Sequence, residues 1–162
     1  MTTTAVDAQH FRDCLALWAS GVTVCTARDG HGPVGITAAS FSSLSLDPPL
    51  VLVCIDHRAR SHDGLVGAEG FVVHVLAEDQ ADLSERFARP GPEKFTEEGP
   101  LEPGPFGAPL LPLGTARLVC AHHAALEGGD HTILVGRVLE VATTDRRPLV
   151  YWARRYRGVT GD

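Results

Sequence analysis

The densest group of side chains that could do chemistry is a run of hydroxyls between the second and third predicted strands. Five hydroxyls fall within nine residues, beside the small Ala38 and Ala39: Thr37, Ser40, Ser42, Ser43 and Ser45. Such a segment can bring hydroxyls and backbone N–H groups close to a flat, polar ligand. A serine-rich loop that hydrogen-bonds to its own backbone has the same composition. Composition alone favours this second interpretation.

A glycine pattern just before this segment resembles a phosphate-binding loop. Residues 30–35 read Gly-His-Gly-Pro-Val-Gly, the spacing of a dinucleotide fingerprint. That fingerprint needs its third glycine to open a helix whose N-terminus holds the pyrophosphate. The residues that follow are hydroxyl-rich and poorly amphipathic, and they end at Asp47-Pro48-Pro49. We therefore expect a loop that joins two antiparallel strands.

Two Cys-x-x-His pairs raise the question of a metal. They are Cys54 with His57 and Cys120 with His123, enough in number for a four-ligand zinc site. Both cysteines fall in strand-like runs, where side chains three residues apart point to opposite faces. We expect no metal site.

Arginines form two groups that could hold an anion. Arg58 and Arg60 stand together, and a second group ends the chain, at Arg146, Arg147, Arg154, Arg155 and Arg157. A solvated basic face and a site for a ligand phosphate explain them equally well.

Charge and composition exclude several classes of protein. The formal net charge of −6 argues against nucleic-acid binding, which requires an excess of clustered cations. The N-terminus lacks the features of a secretory signal, and no apolar run reaches the ~18 residues of a membrane span. Three of the four cysteines lie in apolar runs, which favours buried thiols and a cytoplasmic protein.

Hydrophobic periodicity and turn residues predict a chain of strands with few helices. Helices are expected over residues 7–19 and 79–89, the second with Asp79 as its N-cap. Residues 90–114 are predicted to form a long ordered loop, and the tail from Pro148 to Tyr156 to be partly helical. Strands are expected over residues 22–27, 34–38, 50–55, 71–76, 115–126 and 131–142.

This order lacks the regular βαβ alternation of a doubly wound protein. It predicts a mainly β protein built on a closed, largely antiparallel sheet. The length of 162 residues fits a single domain, residues 1–162, with an ordered core over about 7–157.

Several motifs resemble those of the flavin reductase-like family. Residues 18–24, WASGVTV, are similar to its opening F-A-[ST]-G-V-T-V, and residues 35–51, GITAASFSSLSLDPPLV, are similar to G-M-T-A-x-S-F-x-S-V-S-L-x-P-P-L-V. FVVHVL with Gln80 resembles F-A-V-N-V-L…Q. Further matches follow in the family's order, at Arg86-Phe87-Ala88, Lys94-Phe95, Gly129-Asp130-His131 and Gly136-Arg137-Val138. The resemblance covers roughly residues 10–157.

The resemblance implies an FMN-binding split β-barrel, Greek-key-like and antiparallel, that forms a homodimer. It implies reduction of FMN or FAD by NADH or NADPH, for a partner monooxygenase. His131 matches a position near the nicotinamide and is the candidate catalytic residue. Tyr156 matches another such position. The candidate cofactor-binding residues are Thr37, Ala38, Ala39, Ser40, Ser42, Ser43, Cys54, Ile55, Arg58, Arg60, Ser61, His74, Lys94, Phe95 and Tyr156.

Two departures from the family pattern bear on flavin choice. Many relatives carry Asn at the position of His74, and Asn or Ser at that of Ala39. The Gly128-Gly129-Asp130 sequence is also good hairpin chemistry by itself, so His131 could start a strand with no further role. Two alternatives stay open: a reductase that retains its flavin, and a non-catalytic flavin- or haem-binding split barrel. Trp18 and Trp152 are expected in the core or an interface.

Overall fold

Strands make up most of the structure, a computed structural model that describes residues 5–95 and 101–160. In these residues the helices are α1 (Ala8–Leu15), α2 (His62–Gly67) and α3 (Ala81–Ala88), with short 3₁₀ turns at Pro92–Phe95 and Pro105–Gly107. The strands are β1 (Ser20–Gly21), β2 (Thr23–Asp29), β3 (Gly32–Ala38), β4 (Ser42–Leu46), β5 (Pro49–Asp56), β6 (Gly70–Val75), β7 (Ala116–Gly128), β8 (His131–Thr143), β9 (Val150–Trp152) and β10 (Arg155–Arg157).

Seven of these strands form one antiparallel sheet in the order β3-β2-β6-β7-β8-β5-β4. In a flat sheet, β3 and β5 would lie about 24 Å apart, since five strand spacings separate them. Yet Ala38 of β3 and Val53 of β5 belong to one buried cluster. The sheet therefore curls until its two ends approach each other. The predicted mainly β, antiparallel class is confirmed.

The core fills the inside of this curled sheet because alternate residues of each strand point inward. Phe71, Val73, Cys25, Cys120 and Leu134 lie fully buried there. A second cluster on the outer face packs α3 and the chain end against β2, through Val24, Leu76, Leu83, Phe87 and Leu149. Burial raises the pKa of the Cys25 and Cys120 thiols to about 12, so both stay protonated.

The chain ends meet in a second, three-stranded sheet of order β1-β9-β10. Residues 148–156 were predicted to be partly helical, and this prediction is wrong. Val150 and Tyr151 pair with β1, and Tyr156 pairs with Tyr151 across a tight hairpin. The Trp152 indole donates to the Leu17 carbonyl, so this hairpin also contacts the segment after α1.

Other boundaries differ from the sequence prediction for local reasons. The first helix ends at Leu15 rather than residue 19. The N-cap of α3 is Gln80, not Asp79, because the Asp79 carboxylate pairs with Arg146 instead. Helix α2 was not predicted. The segment 39–49, which was predicted to join two strands, contains β4, whose alternating serines and leucines suit an edge strand beside β5.

The glycine pattern of residues 30–35 lies where an antiparallel hairpin turns. Asp29 pairs with Gly32, and Thr26 pairs with Gly35, so the third glycine lies inside β3 and opens no helix. The expected loop between antiparallel strands is confirmed, although the strands extend further than predicted. None of the helices in residues 5–95 and 101–160 has the length and the apolar character of a membrane span.

His74 makes the stability of the fold sensitive to acid. Its ring is buried on the outer face of β6, and its Nε2 lies 3.1 Å from the Thr26 hydroxyl, which itself donates to the Pro109 carbonyl. Nε2 therefore carries the proton, and the buried Nδ1 has no hydrogen-bond partner among the described residues. Burial, helped by the charge of Arg117, lowers the pKa of His74 from 6.5 to about 3.

Replacing His74 with Asn should therefore reduce the loss of stability in acid. Between pH 6.5 and 3, His74 is protonated in the unfolded chain but stays neutral in the folded one. The free energy of unfolding therefore falls as the pH falls through this window. From pH 7 to pH 4, His74→Asn should lose roughly 3 kcal/mol less than the unmodified protein. Urea unfolding at both pH values measures this, with the exposed His31→Asn as control. Equal losses in the two variants would contradict it.

Candidate functional site

The segment between β3 and β4 is held against β5 by one serine. The Ser40 hydroxyl donates to the Cys54 carbonyl at 2.9 Å and accepts from the Cys54 backbone N–H at 3.0 Å. One side chain thus makes both hydrogen bonds that a neighbouring strand would supply at this point of β5. The bend at residues 39–41 therefore lies beside Cys54, and Ala39 is exposed there.

Two further serines follow on the edge strand β4. Ser42 and Ser43 are exposed and pair with Leu52 and Val51 of β5. The Ser42 hydroxyl donates to the Ser43 carbonyl at 3.1 Å. The Ser43 hydroxyl forms no hydrogen bond with the described residues. The hydroxyls of Ser42 and Ser43 on β4 are thus accessible to a ligand, whereas the Ser40 hydroxyl is occupied by its two hydrogen bonds to Cys54.

A basic turn follows β5 at the same end. Arg58 binds Asp56 through two side-chain nitrogens, at 3.2 and 2.9 Å, and through its backbone N–H at 2.8 Å. These bonds hold the pKa of the Asp56 carboxyl well below its ordinary value. Arg60 is exposed, whereas Ser61 is buried at the start of α2. Because Asp56 occupies part of the Arg58 guanidinium, the arginine is oriented before any anion arrives.

His131 begins β8 directly opposite Asp56. Its Nδ1 lies 2.6 Å from an Asp130 carboxylate oxygen, and this contact lowers the pKa of Asp130. The turn before it has Gly129 at a φ of 78°, a left-handed conformation that suits glycine. Since a carboxylate only accepts, Nδ1 donates to it and Nε2 remains the nitrogen that can face a ligand.

A second group of the predicted residues lies around α3 instead. The Thr37 hydroxyl donates to the Ser84 carbonyl at 2.6 Å, and the Tyr156 hydroxyl lies 2.8 Å from that of Ser84. Lys94 donates to the carbonyls of Gly35 and Phe87, and burial lowers its pKa. This group meets the first through the last residues of β3. It holds α3 and the 3₁₀ turn against the sheet.

Four predicted residues occupy packing positions, where Ala38, Ile55 and His74 are buried and Phe95 is half-buried. Ala38 and Ile55 lie in the core inside the sheet. Phe95 packs edge-on against Phe87, with ring centroids 5.2 Å apart. His74 lies under Pro109 and bonds to Thr26, away from the end of β5. The structure thus does not bring the side chains of Ile55, Phe95 and His74 to the group around Ser40.

The structure adds residues to this end that the sequence prediction missed. Asp56 and Asp130 hold Arg58 and His131, and His62 bonds to Thr132 of β8. An acidic residue next to each basic one was the available signal for the first two. No group of three or more potential metal-binding side chains occurs in residues 5–95 and 101–160. Within one Cys-x-x-His pair, Cys120 is buried and His123 is exposed.

Known proteins resemble this chain over almost its whole length. A family described as "Flavin reductase like domain" matches residues 15–160. The chain is 41% identical over 145 residues to FMN reductase (NADH) SmoA of Agrobacterium fabrum, which covers 90% of this chain and 82% of that protein. It is 45% identical over 151 residues to the 4-hydroxyphenylacetate 3-monooxygenase reductase component of Thermus thermophilus, covering 92% and 95%.

A solved structure has a fold similar to that of this chain. The NADH:FAD oxidoreductase SgcE6 of Streptomyces globisporus, in complex with NAD and FAD fragments, has a TM-score of 0.89. It is 34% identical in sequence, and the match covers 99% of each chain.

Proposed function

Because this chain belongs to the flavin reductase-like domain family, we propose that it transfers a hydride from NADH or NADPH to FMN or FAD. The names of the relatives, an FMN reductase (NADH) and an NADH:FAD oxidoreductase, support an enzyme over a flavin- or haem-binding carrier. The observation that carries the proposal is the end of β5. The Ser40 bend, the Arg58 turn and His131 converge there from three separate parts of the chain.

The residues at this end suit a flat polar group that carries a phosphate. The exposed Ser42 and Ser43 offer hydroxyls, Arg58 and Arg60 offer cationic forks, and His131 offers its free Nε2. We propose that the bend, β4 and Cys54 contact the flavin ring, and that Arg58 to Ser61 contact its phosphate. Ala38 and Ile55 would support that surface by packing, and Thr37, Lys94, Phe95 and Tyr156 would hold α3 beside it.

The flavin, when bound, supplies the hydride acceptor, and the reduced nicotinamide supplies the hydride. The task of this chain is to bind and orient the two. Ordered placement can contribute several kcal/mol to such a reaction. Donors aimed at the ring stabilise the negative charge that develops on it. His131, held by Asp130, is the side chain that we assign to the nicotinamide.

The proposed reaction produces reduced flavin, which a partner protein can use. The Thermus thermophilus relative is the reductase component of a 4-hydroxyphenylacetate 3-monooxygenase. We propose that reduced flavin passes from this chain to such an oxygenase. The binding groups around β4 are exposed rather than enclosed, which favours a flavin that exchanges between turnovers over one that is retained.

We propose further that two copies of the chain form a homodimer. Helix α1 has no buried residue, and its Phe11 and Leu15, together with Trp18 just after it, are all more than half exposed. Leu126 and Val141 of the long β7–β8 hairpin are also more than half exposed. Apolar patches of this kind mark interaction surfaces.

Sedimentation of the purified protein should give the mass of two chains, and Trp18→Asp should shift the measured mass toward that of one chain.

Three structural and cellular assignments belong to the same proposal. The curled sheet would be a split barrel, because no ladder joins β3 to β4 within the described residues. The chain would form one domain, since β1 near its start pairs with β9 near its end. Its location would be the cytoplasm, where buried thiols such as Cys25 and Cys120 stay reduced.

Loss of the reduced-nicotinamide absorbance tests the proposed reaction. The purified protein should oxidise NADH or NADPH at a rate that rises with added FMN or FAD and saturates. Heat-denatured protein is the control for the slow direct reaction between the two compounds. If neither nucleotide is oxidised with either flavin, while flavin still binds, the chain is a carrier and the proposal fails.

A further inference from the structure

His62 connects two parts of the candidate site that lie 70 residues apart in the chain. Its Nε2 lies 2.8 Å from the hydroxyl of Thr132, the residue after His131 on β8. Its Nδ1 lies 2.7 Å from a carboxylate oxygen of Asp63. Because the carboxylate can only accept, Nδ1 donates to it, and in the neutral ring Nε2 accepts the Thr132 proton.

The order carboxylate, imidazole, hydroxyl is that of a nucleophilic triad, but burial excludes such a role here. A nucleophile must reach its substrate, whereas Thr132 is 7% exposed. Asp63 is fully exposed, and the His62 side chain is only 15% exposed and has the His57 ring packed against it at 81°. The three groups therefore act as a link between two elements.

This link holds the start of a short helix that is otherwise held by packing, since Leu65 is fully buried in the core inside the sheet. Ser61 is the N-cap of α2 but makes no side-chain capping bond. The far side of α2 is held by close packing, since a Cβ on Gly64 would lie 2.9 Å from a Val34 methyl. The Arg58–Ser61 turn leads directly into the end that His62 holds.

We propose that His62 is a positioning residue, which sets the place of the Arg58–Ser61 turn relative to the start of β8 and thereby sets flavin affinity. The inference rests on the proposed function, because it assumes that this turn contacts the flavin phosphate. Asp63 orients the ring from the solvent side, so that Nε2 faces Thr132. Gln can replace this bond, since its amide reaches nearly as far as Nε2, but Leu cannot.

Flavin titration, steady-state kinetics and thermal unfolding of four variants test this proposal. His62→Leu and Thr132→Val should each raise the flavin Kd about tenfold, the upper end of what one hydrogen bond between neutral groups is worth. His62→Gln should restore it to within about threefold, and the double variant should be no worse than either single one, because both remove the same bond. In His62→Leu the KM for flavin should rise by a larger factor than kcat falls. The exposed His31→Leu serves as control.

The outcomes separate this proposal from the function on which it rests. If the unmodified protein binds no flavin, both fail. If it binds and reduces flavin but folded His62→Leu or Thr132→Val has an unchanged Kd, only the role of His62 is overturned. A lower melting temperature with unchanged flavin Kd, or a His62→Gln variant as weak as His62→Leu, also overturns it. Should His62→Leu not fold, Thr132→Val and His62→Gln still decide.

Discussion

A His131→Ala variant is expected to lose about a hundredfold in kcat/KM for the reduced nicotinamide, the scale of a lost orienting contact in a transition state. Its flavin Kd should stay within about threefold, a difference below 1 kcal/mol. The reason is the position of the side chain. His131 is tied to Asp130 through Nδ1 and leaves Nε2 free, whereas the proposed flavin contacts come from β4, β5 and the Arg58 turn.

Nicotinamide oxidation at saturating flavin, together with a separate flavin titration, measures the two effects. The kcat/KM of Asp130→Asn should fall between that of His131→Ala and that of the unmodified protein, because the amide oxygen still accepts a hydrogen bond from Nδ1 but carries no charge. His123→Ala, an exposed histidine on the neighbouring strand β7, is the matched control and should be silent. Equal losses of flavin binding and nucleotide use would remove the role assigned to His131.

Phe71→Ala is expected to lower the free energy of unfolding by about 3–5 kcal/mol, the range for a buried aromatic cut to alanine. The ring is fully buried inside the curled sheet, among residues of β2, β5 and β8. It fills the space above Gly136, where an added Cβ would lie 2.5 Å from the ring. Truncation leaves a cavity that these strands cannot close without moving, because other buried residues hold them in place.

Urea unfolding monitored by circular dichroism gives the value. Gly136→Ala should destabilise by about 1–3 kcal/mol through overpacking. Combined with Phe71→Leu, it should cost less than the sum of the two single changes, since the smaller side chain makes room. Leu46→Ala, at a residue 94% exposed, should change stability by less than about 0.5 kcal/mol. A Phe71→Ala variant as stable as Leu46→Ala would contradict the packing described above.

The sequence predicts the main sheet because its strands have two-residue periodicity and turn residues between them. The β2–β3 and β7–β8 hairpins follow from glycine-rich turns, and β5 and β6 from apolar runs. The errors lie where pairing with another strand decides the conformation. The tail becomes β9 and β10 because β1 offers a partner, and β4 becomes an edge strand because β5 does. Local propensity does not predict either of these pairings.

The same reason limits what could be predicted of the site. The hydroxyl-rich segment and the Arg58 turn are recognisable as motifs, so their approach follows from the family resemblance. The bond from Ser40 to Cys54 and that from His62 to Thr132 join residues 14 and 70 positions apart. Side-chain roles also depend on burial: Thr37 looks like a ligand-binding hydroxyl in sequence, but it binds Ser84 in the structure.

A crystal structure of the protein with FMN or FAD bound tests the central claim most directly. We expect the flavin ring to lie against the bend at residues 39–41 and Cys54, with its phosphate at Arg58 to Ser61 and one face open toward His131. A flavin bound at another surface, with this end of β5 empty, would contradict it.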